Sequence, residues 1–112
     1  MYRDSTTIQE RELAIRLESE PDTTIVSLYG ELDLTSAQTL ETTLVGLGRD
    51  GGSIIVDLSG LEFIDSTGLA VLLRAVTRSR QDSDHLALLR GREQVQRVLQ
   101  VTGLEDQLPF LD

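Results

Sequence analysis

The chain has 112 residues, 19 of them acidic and 10 basic, a formal net charge of −9 and no cysteine. That length suits one domain around one core and not two, and the missing cysteine excludes disulfides, thiolate-bound zinc and thiol catalysis. So acidic a chain is a poor match for nucleic acid or an anionic membrane surface and favours partners with basic patches.

At 39% hydrophobic and 26% charged residues the composition is that of a soluble globular domain. Aromatics make up 4%, so the core must be aliphatic. No window approaches the ~18 apolar residues of a membrane span, and Met1, Tyr2, Arg3 and Asp4 open no apolar secretory signal. A cytoplasmic location is expected. All ten basic residues are arginine, which suggests a GC-rich genome.

Residues 1–11 are polar and are expected to be flexible. Residues 13–18 alternate apolar and polar from Leu13, the period of a strand. Glu20, Pro21 and Asp22 signal a turn. Residues 23–30 are rich in β-favouring side chains and predict a second strand, paired with the first as an antiparallel hairpin. Residues 30–34 read as a loop. Thr35 and Gln38 have capping-box spacing, and Ala37, Leu40, Leu44 and Leu47 form one helical face. Gly48 is a plausible helix stop, and Asp50, Gly51 and Gly52 a turn.

The stretch that follows organises the chain. The run Ile54, Ile55, Val56 predicts a strand buried on both faces. Residues 57–63 read as a polar loop. Leu69, Leu72, Leu73 and Val76 then share a helical face, widened by Ala70, Val71 and Ala75, with Arg74, Arg78 and Arg80 toward the negative end of the helix dipole. Strand, loop and helix start converge on Asp65, Ser66 and Thr67. Residues 81–84 predict a turn, residues 85–89 a fourth strand, and Val95, Val98 and Leu99 a modest helical stripe. Gly103 and Leu104 resemble a Schellman stop, and residues 108–111 an edge strand that tolerates Pro109. Strands alternating with helices imply parallel crossovers and an α/β domain.

Two readings fit Ser66. Its side chain could cap the helix, a role open equally to Asp65. Alternatively its hydroxyl is a phosphoacceptor, where a phosphate would meet free N–H groups and the positive helix end. Glu31, Asp33, Asp57, Glu62 and Asp65 are either solvated acids or a magnesium site along the loop edge of the sheet. The chain has no lysine to neutralise a transferred phosphoryl group, which weighs against Asp57 as a phosphorylated aspartate. His85 is the only histidine and has no nucleophile near it in sequence. No phosphate-binding glycine loop is present.

Three stretches carry a resemblance: Gly30-Glu31-Leu32-Asp33 with Ser36-Ala37; residues 55–61 with Phe63-Ile64-Asp65-Ser66-Thr67-Gly68-Leu69; and Val101-Thr102-Gly103-Leu104. Through them, from about Leu13 onward, the chain resembles a STAS domain and, within that family, a bacterial anti-sigma factor antagonist. The resemblance implies a single STAS domain over residues 1–112, with a mixed, mainly parallel sheet of four or five strands and helices mostly on one side.

It also implies a partner-switching protein that is not itself an enzyme and needs no cofactor or metal. When unphosphorylated it would bind an anti-sigma serine kinase, which holds the ATP, and so free a sigma factor. Phosphorylation at Ser66 would end that binding, and a serine phosphatase would restore it. Glu31, Asp33, Asp65, Ser66, Thr67, Gly68 and Leu69 would face the partner, with the protein a monomer or weak dimer. Two other classes stay open: a non-switching STAS scaffold in a transport or signalling assembly, and a small metal-dependent enzyme using the acidic loop edge.

Overall fold

The computed structural model describes residues 4–82 and 85–111. In chain order the elements are β1 (Asp4–Glu10), β2 (Leu13–Ser19), β3 (Thr23–Leu32), α1 (Ala37–Asp50), β4 (Ser53–Ile64), α2 (Ser66–Gln81), β5 (His85–Leu89), α3 (Glu93–Val101), a 3-10 turn (Glu105–Gln107) and β6 (Phe110–Leu111). The strands form one sheet in sequence order, β1-β2-β3-β4-β5-β6. The first two pairings are antiparallel and the remaining three parallel. The expected mixed, mainly parallel α/β architecture is present, with six strands in place of four or five.

Each of the three helices links one strand to its next neighbour in the same direction across the sheet. Right-handed crossovers therefore stack all three on one face. That face holds the core: Leu13 and Ile15 of β2, Val26 and Leu28 of β3, Ile54, Val56 and Leu58 of β4, and Leu88 of β5. Leu40 and Leu44 of α1, Leu69, Leu72 and Val76 of α2, and Val95 and Leu99 of α3 close over them. Each buried leucine contributes about 1.5–3 kcal/mol of transfer free energy, so this aliphatic layer fixes where the helices sit.

The sequence expectations need correction at six places. Residues 4–10 are not loose: they form β1, whose Ile8 pairs with Ile15 and packs against the core edge. Residues 30–32 and 57–63 are strand rather than loop. Past Ser27 and Asp57 the β3–β4 pairing continues through Tyr29–Gly60, Gly30–Leu61, Glu31–Phe63 and Leu32–Ile64, with two register shifts. These shifts space the buried residues Leu58, Leu61 and Ile64 three apart, which hides the strand period of two.

Burial of β4 is one-sided. Ile55 is only half-buried, beside Ile25 and Ala87 on the face without helices. Helix α1 runs past Gly48 to Asp50 and ends at Gly51. The capping box does not form: Ser36 precedes α1 without a side-chain cap, and Gln38 donates to Thr42. The Schellman stop is present, with the Leu104 N–H on the Leu99 carbonyl at 3.0 Å. The turn expected over residues 81–84 lies partly outside the described residues.

Candidate functional site

The β3–β4 extension carries two strand ends to one corner of the molecule, where α1 and α2 begin. Gly30 makes the β3 end possible. Its φ is +91°, and a Cβ there would lie 2.0 Å from the Glu12 carbonyl oxygen, which accepts the Glu31 N–H at 2.9 Å. A side chain is excluded on both counts.

The loop between Leu32 and Ala37 is held from inside. Ser36, 1% exposed, donates its hydroxyl to the Glu31 carbonyl at 3.1 Å and accepts the Asp33 N–H at 3.2 Å. Asp33 Oδ1 accepts from the Thr35 hydroxyl at 2.7 Å and from the Thr35 N–H at 2.9 Å. These bonds, the Thr35 hydroxyl first, hold Asp33 below its usual carboxylate range, with smaller help from Ser36 against slight desolvation.

Asp65 joins the two halves of the site. It is the N-cap of α2, and its Oδ1 accepts the N–H groups of Thr67 at 2.9 Å and Gly68 at 3.0 Å. Its Oδ2 accepts the Leu34 N–H at 3.2 Å, and its own N–H donates to the Leu32 carbonyl at 3.2 Å. One carboxylate thus fixes the start of α2 against the β3–α1 loop. Gly68 lets them approach: a Cβ there would sit 2.5 Å from Leu32 Cγ and 3.0 Å from the Leu32 carbonyl oxygen.

Ser66 is consequently the first helical residue and not the cap. Its side chain is exposed and makes no hydrogen bond among the described residues. The anticipated phosphate pocket of free N–H groups is absent at Thr67 and Gly68, because Asp65 occupies both. A group added at Ser66 Oγ keeps the favourable helix dipole but lies beside a carboxylate and projects toward solvent. His85 pairs with Ser53 at the opposite end of β4 from Ile64, roughly 30 Å away by strand geometry. It cannot act on Ser66.

The acids do not assemble as the magnesium-site alternative requires. Asp57 lies mid-strand, paired with Ser27 and Leu89, and accepts the Ser59 N–H. Among the described residues no three of His, Asp and Glu come together in a way that could hold a metal ion. Of the expected partner-facing residues, Asp33, Asp65, Ser66 and Thr67 meet at this corner. Gly68 and Leu69 are buried beneath it as structural supports, and Glu31 is exposed on the end of β3.

Sequence reading missed the apolar members of this surface. Leu34 is 75% exposed and Phe63 48% exposed, on the two segments that flank Ser66. Leu34 lies in the turn before α1, where no period marks it, and Phe63 lies in a strand whose outward positions only the register reveals. Beside them runs a shallow groove between α1 and α2, lined by Leu34, Gln38, Glu41, Thr67, Val71 and Arg74. Burial raises the affinity of Glu41 for its proton. Hydrogen bonds and charge from Arg74 and Arg78 outweigh that and hold its carboxyl below the ordinary value.

The STAS domain family model matches residues 14–112. The chain is 32% identical over 82 residues to an anti-sigma-B factor antagonist of Staphylococcus aureus, covering 72% of this chain and 76% of that protein. The crystal structure of an anti-sigma factor antagonist from Mycobacterium paratuberculosis superposes with a TM-score of 0.75 at 25% identity, over 96% of this chain and 85% of that one. The phosphorylated form of the Bacillus cell fate determinant SpoIIAA shares the fold, with a TM-score of 0.67 at 23% identity over 88% of this chain and 91% of that one. With the strand-to-helix junction at Asp65 and Ser66 in place, and with matches of this extent, the chain belongs to the STAS domain family.

Proposed function

We propose that this chain is an anti-sigma factor antagonist switched by phosphorylation of Ser66. In the unphosphorylated state it binds an anti-sigma serine kinase through the corner formed by Leu34, Phe63, Asp33, Ser66 and Thr67. That binding frees a sigma factor. Transfer of a phosphoryl group from ATP on the kinase to Ser66 Oγ ends it, and a serine phosphatase resets the protein. The whole chain acts as one STAS domain, a monomer or weak dimer, in the cytoplasm.

The observation that carries this reading is the state of Ser66. Its hydroxyl is exposed, unengaged and held on a helix start, and the two segments that flank it carry the exposed apolar side chains Leu34 and Phe63. Among the described residues no side chain hydrogen-bonds to its hydroxyl, which suits it to be a substrate of another protein's chemistry. Phosphorylation adds about −1.5 to −2 charges. Beside Asp65 and Asp33, that charge would have to be desolvated within an apolar contact. The repulsion across ~6 Å of water is about 1 kcal/mol, and desolvating the dianion costs several kcal/mol more. Binding should weaken by at least a hundredfold without any change of fold.

The test uses the kinase partner and ATP. Intact mass should rise by one phosphoryl group, which Ser66→Ala abolishes. Ser66→Ala should remain bound to the kinase, and Ser66→Asp should bind at least tenfold more weakly. Equal binding by the two variants would sink the switch and favour a non-switching scaffold. Modification of Thr67 in the Ser66→Ala protein would move the acceptor by one residue.

A further inference from the structure

All three helices pack on one face of the sheet, and among the described residues no helix lies against the other face. Parallel strands are ordinarily covered on both sides. This uncovered face is not polar. Strand alternation places Ile25 and Tyr29 of β3, Ile55 of β4, and Ala87 and Leu89 of β5 there, because Val26, Ile54, Val56 and Leu88 point into the core. Ile25, Ile55 and Ala87 stand side by side in one row across the parallel strands. Tyr29 is 46% exposed.

We infer that two copies of this chain associate through this face, sheet against sheet, about a twofold axis running along β3. The charge pattern selects a second copy as the occupant. Arg16, Ser27 and Asp57 form one row across β2, β3 and β4. The two opposite charges flank Ser27 at one strand spacing each, about 4.8 Å. A twofold axis over Ser27, parallel to the strands, lays β2 of each copy over β4 of the other. Arg16 of each copy then faces Asp57 of the other, so the same pair forms twice. Sheets stacked face to face keep their strands within about 30° of each other, which this axis permits.

Both charges are available for such a pair. The Arg16 side chain is 49% exposed, and its ion pair with Glu18 is long at 3.9 Å. Asp57 forms no ion pair among the described residues.

Shape supports the same axis. A Cβ on Gly60 would collide with the Tyr29 ring, so that ring leans over β4. On the other side of Tyr29, β2 presents only Ala14. The axis sets each Tyr29 ring over Ala14 of the other copy, a large side chain against a shallow place. Glu18 meets Ile55 of the other copy through its methylene stem, with its carboxylate toward Arg16. Strands β2 to β5 offer roughly 20 by 20 Å, about 400 Å² on each copy, at the low end for specific association. Ser66 lies beyond the end of β4, roughly 20 Å from the Asp57 row, so the pairing leaves that corner open and does not rest on the switch there.

The test is sedimentation equilibrium of the intact chain from about 10 µM to about 1 mM. A reversible dimer should form with a dissociation constant of about 50–500 µM, as suits an interface of this size. Arg16→Asp and Asp57→Arg should each weaken it at least tenfold, because like charges then meet twice. Mixed in equal amounts, the two variants should associate within about threefold of the parent, because opposite charges face each other again at both places. Arg97→Asp makes the same charge change on α3 and should dimerise as the parent does. A monomer at the highest concentration, a mixture that stays monomeric, or an equal loss in Arg97→Asp and Arg16→Asp would each overturn the proposal. If Asp57→Arg does not fold, amide NMR shifts between dilute and concentrated samples of the parent decide. They should map to Ala14, Ser27, Tyr29 and Ile55, and shifts clustered on β1 or on the helices would overturn the proposal.

Discussion

Replacing Asp65 by Ala removes the acceptor for three N–H groups at once, those of Thr67, Gly68 and Leu34. Loss of an N-cap side chain costs about 0.5–2 kcal/mol. The Leu34 bond adds about half of that, since its donor is exposed and water can replace the carboxylate. The sum is about 2 kcal/mol, a fall in Tm of roughly 10 °C for a domain of this size. Asp65→Ser keeps a capping oxygen but cannot reach Leu34, so it should recover about half the loss. Asp65→Asn keeps Oδ1 for the helix and turns an NH₂ toward the Leu34 N–H. It should leave the helix capped while raising amide hydrogen exchange at Leu34. Urea unfolding of the three variants, with site-resolved exchange, separates the two roles. A loss below ~0.5 kcal/mol in Asp65→Ala, or unchanged Leu34 exchange in Asp65→Asn, would show that Asp65 does not join loop to helix.

Gly68→Ala should destabilise by about 1–3 kcal/mol, because its Cβ meets Leu32 Cγ at 2.5 Å beside a backbone carbonyl that cannot retreat; a urea midpoint equal to the parent's would contradict that contact. Leu34→Ala and Phe63→Ala should change stability by less than ~0.5 kcal/mol, as both side chains are exposed. Each should nonetheless weaken kinase binding about tenfold if they are apolar anchors, measurable by calorimetry against the isolated kinase. Asp33 and Glu41 both have folded-state values below their unfolded 3.8 and 4.5. Their stabilisation is therefore complete above pH ~4.5 and is lost as pH falls through the lower folded values. Urea midpoints from pH 7 to pH 3 should drop at the acid end, and Glu41→Gln should flatten part of that drop. An unaltered slope in Glu41→Gln would argue that its pairing with Arg74 and Arg78 contributes nothing.

The sequence by itself determined the helices and most of the parallel sheet. The spacing of Leu69, Leu72 and Val76 and of Leu40 and Leu44 is a one-dimensional record of which face is buried, because a helix repeats every 3.6 residues whatever surrounds it. The hydroxyl at Ser66 was legible for the same reason: it stands where an apolar strand gives way to an amphipathic helix. Capping was not legible. Asp65, Ser66, Thr35 and Ser36 are all capping residue types, and only the distances show that Asp65 caps α2 while Ser36 turns inward to the Glu31 carbonyl.

Tertiary structure alone decided the corner around Ser66. The register shifts of β3 and β4 break the alternation that would identify residues 57–63 as strand, and they set Phe63 outward. The bond from Leu34 to Asp65 spans 31 residues, a separation that no local period reports. Burial of β4 on one face rather than two, and the placing of residues 4–10 as an edge strand, likewise depend on which neighbours the chain meets once folded. Local periods fix elements; partners distant in sequence fix registers and exposed faces.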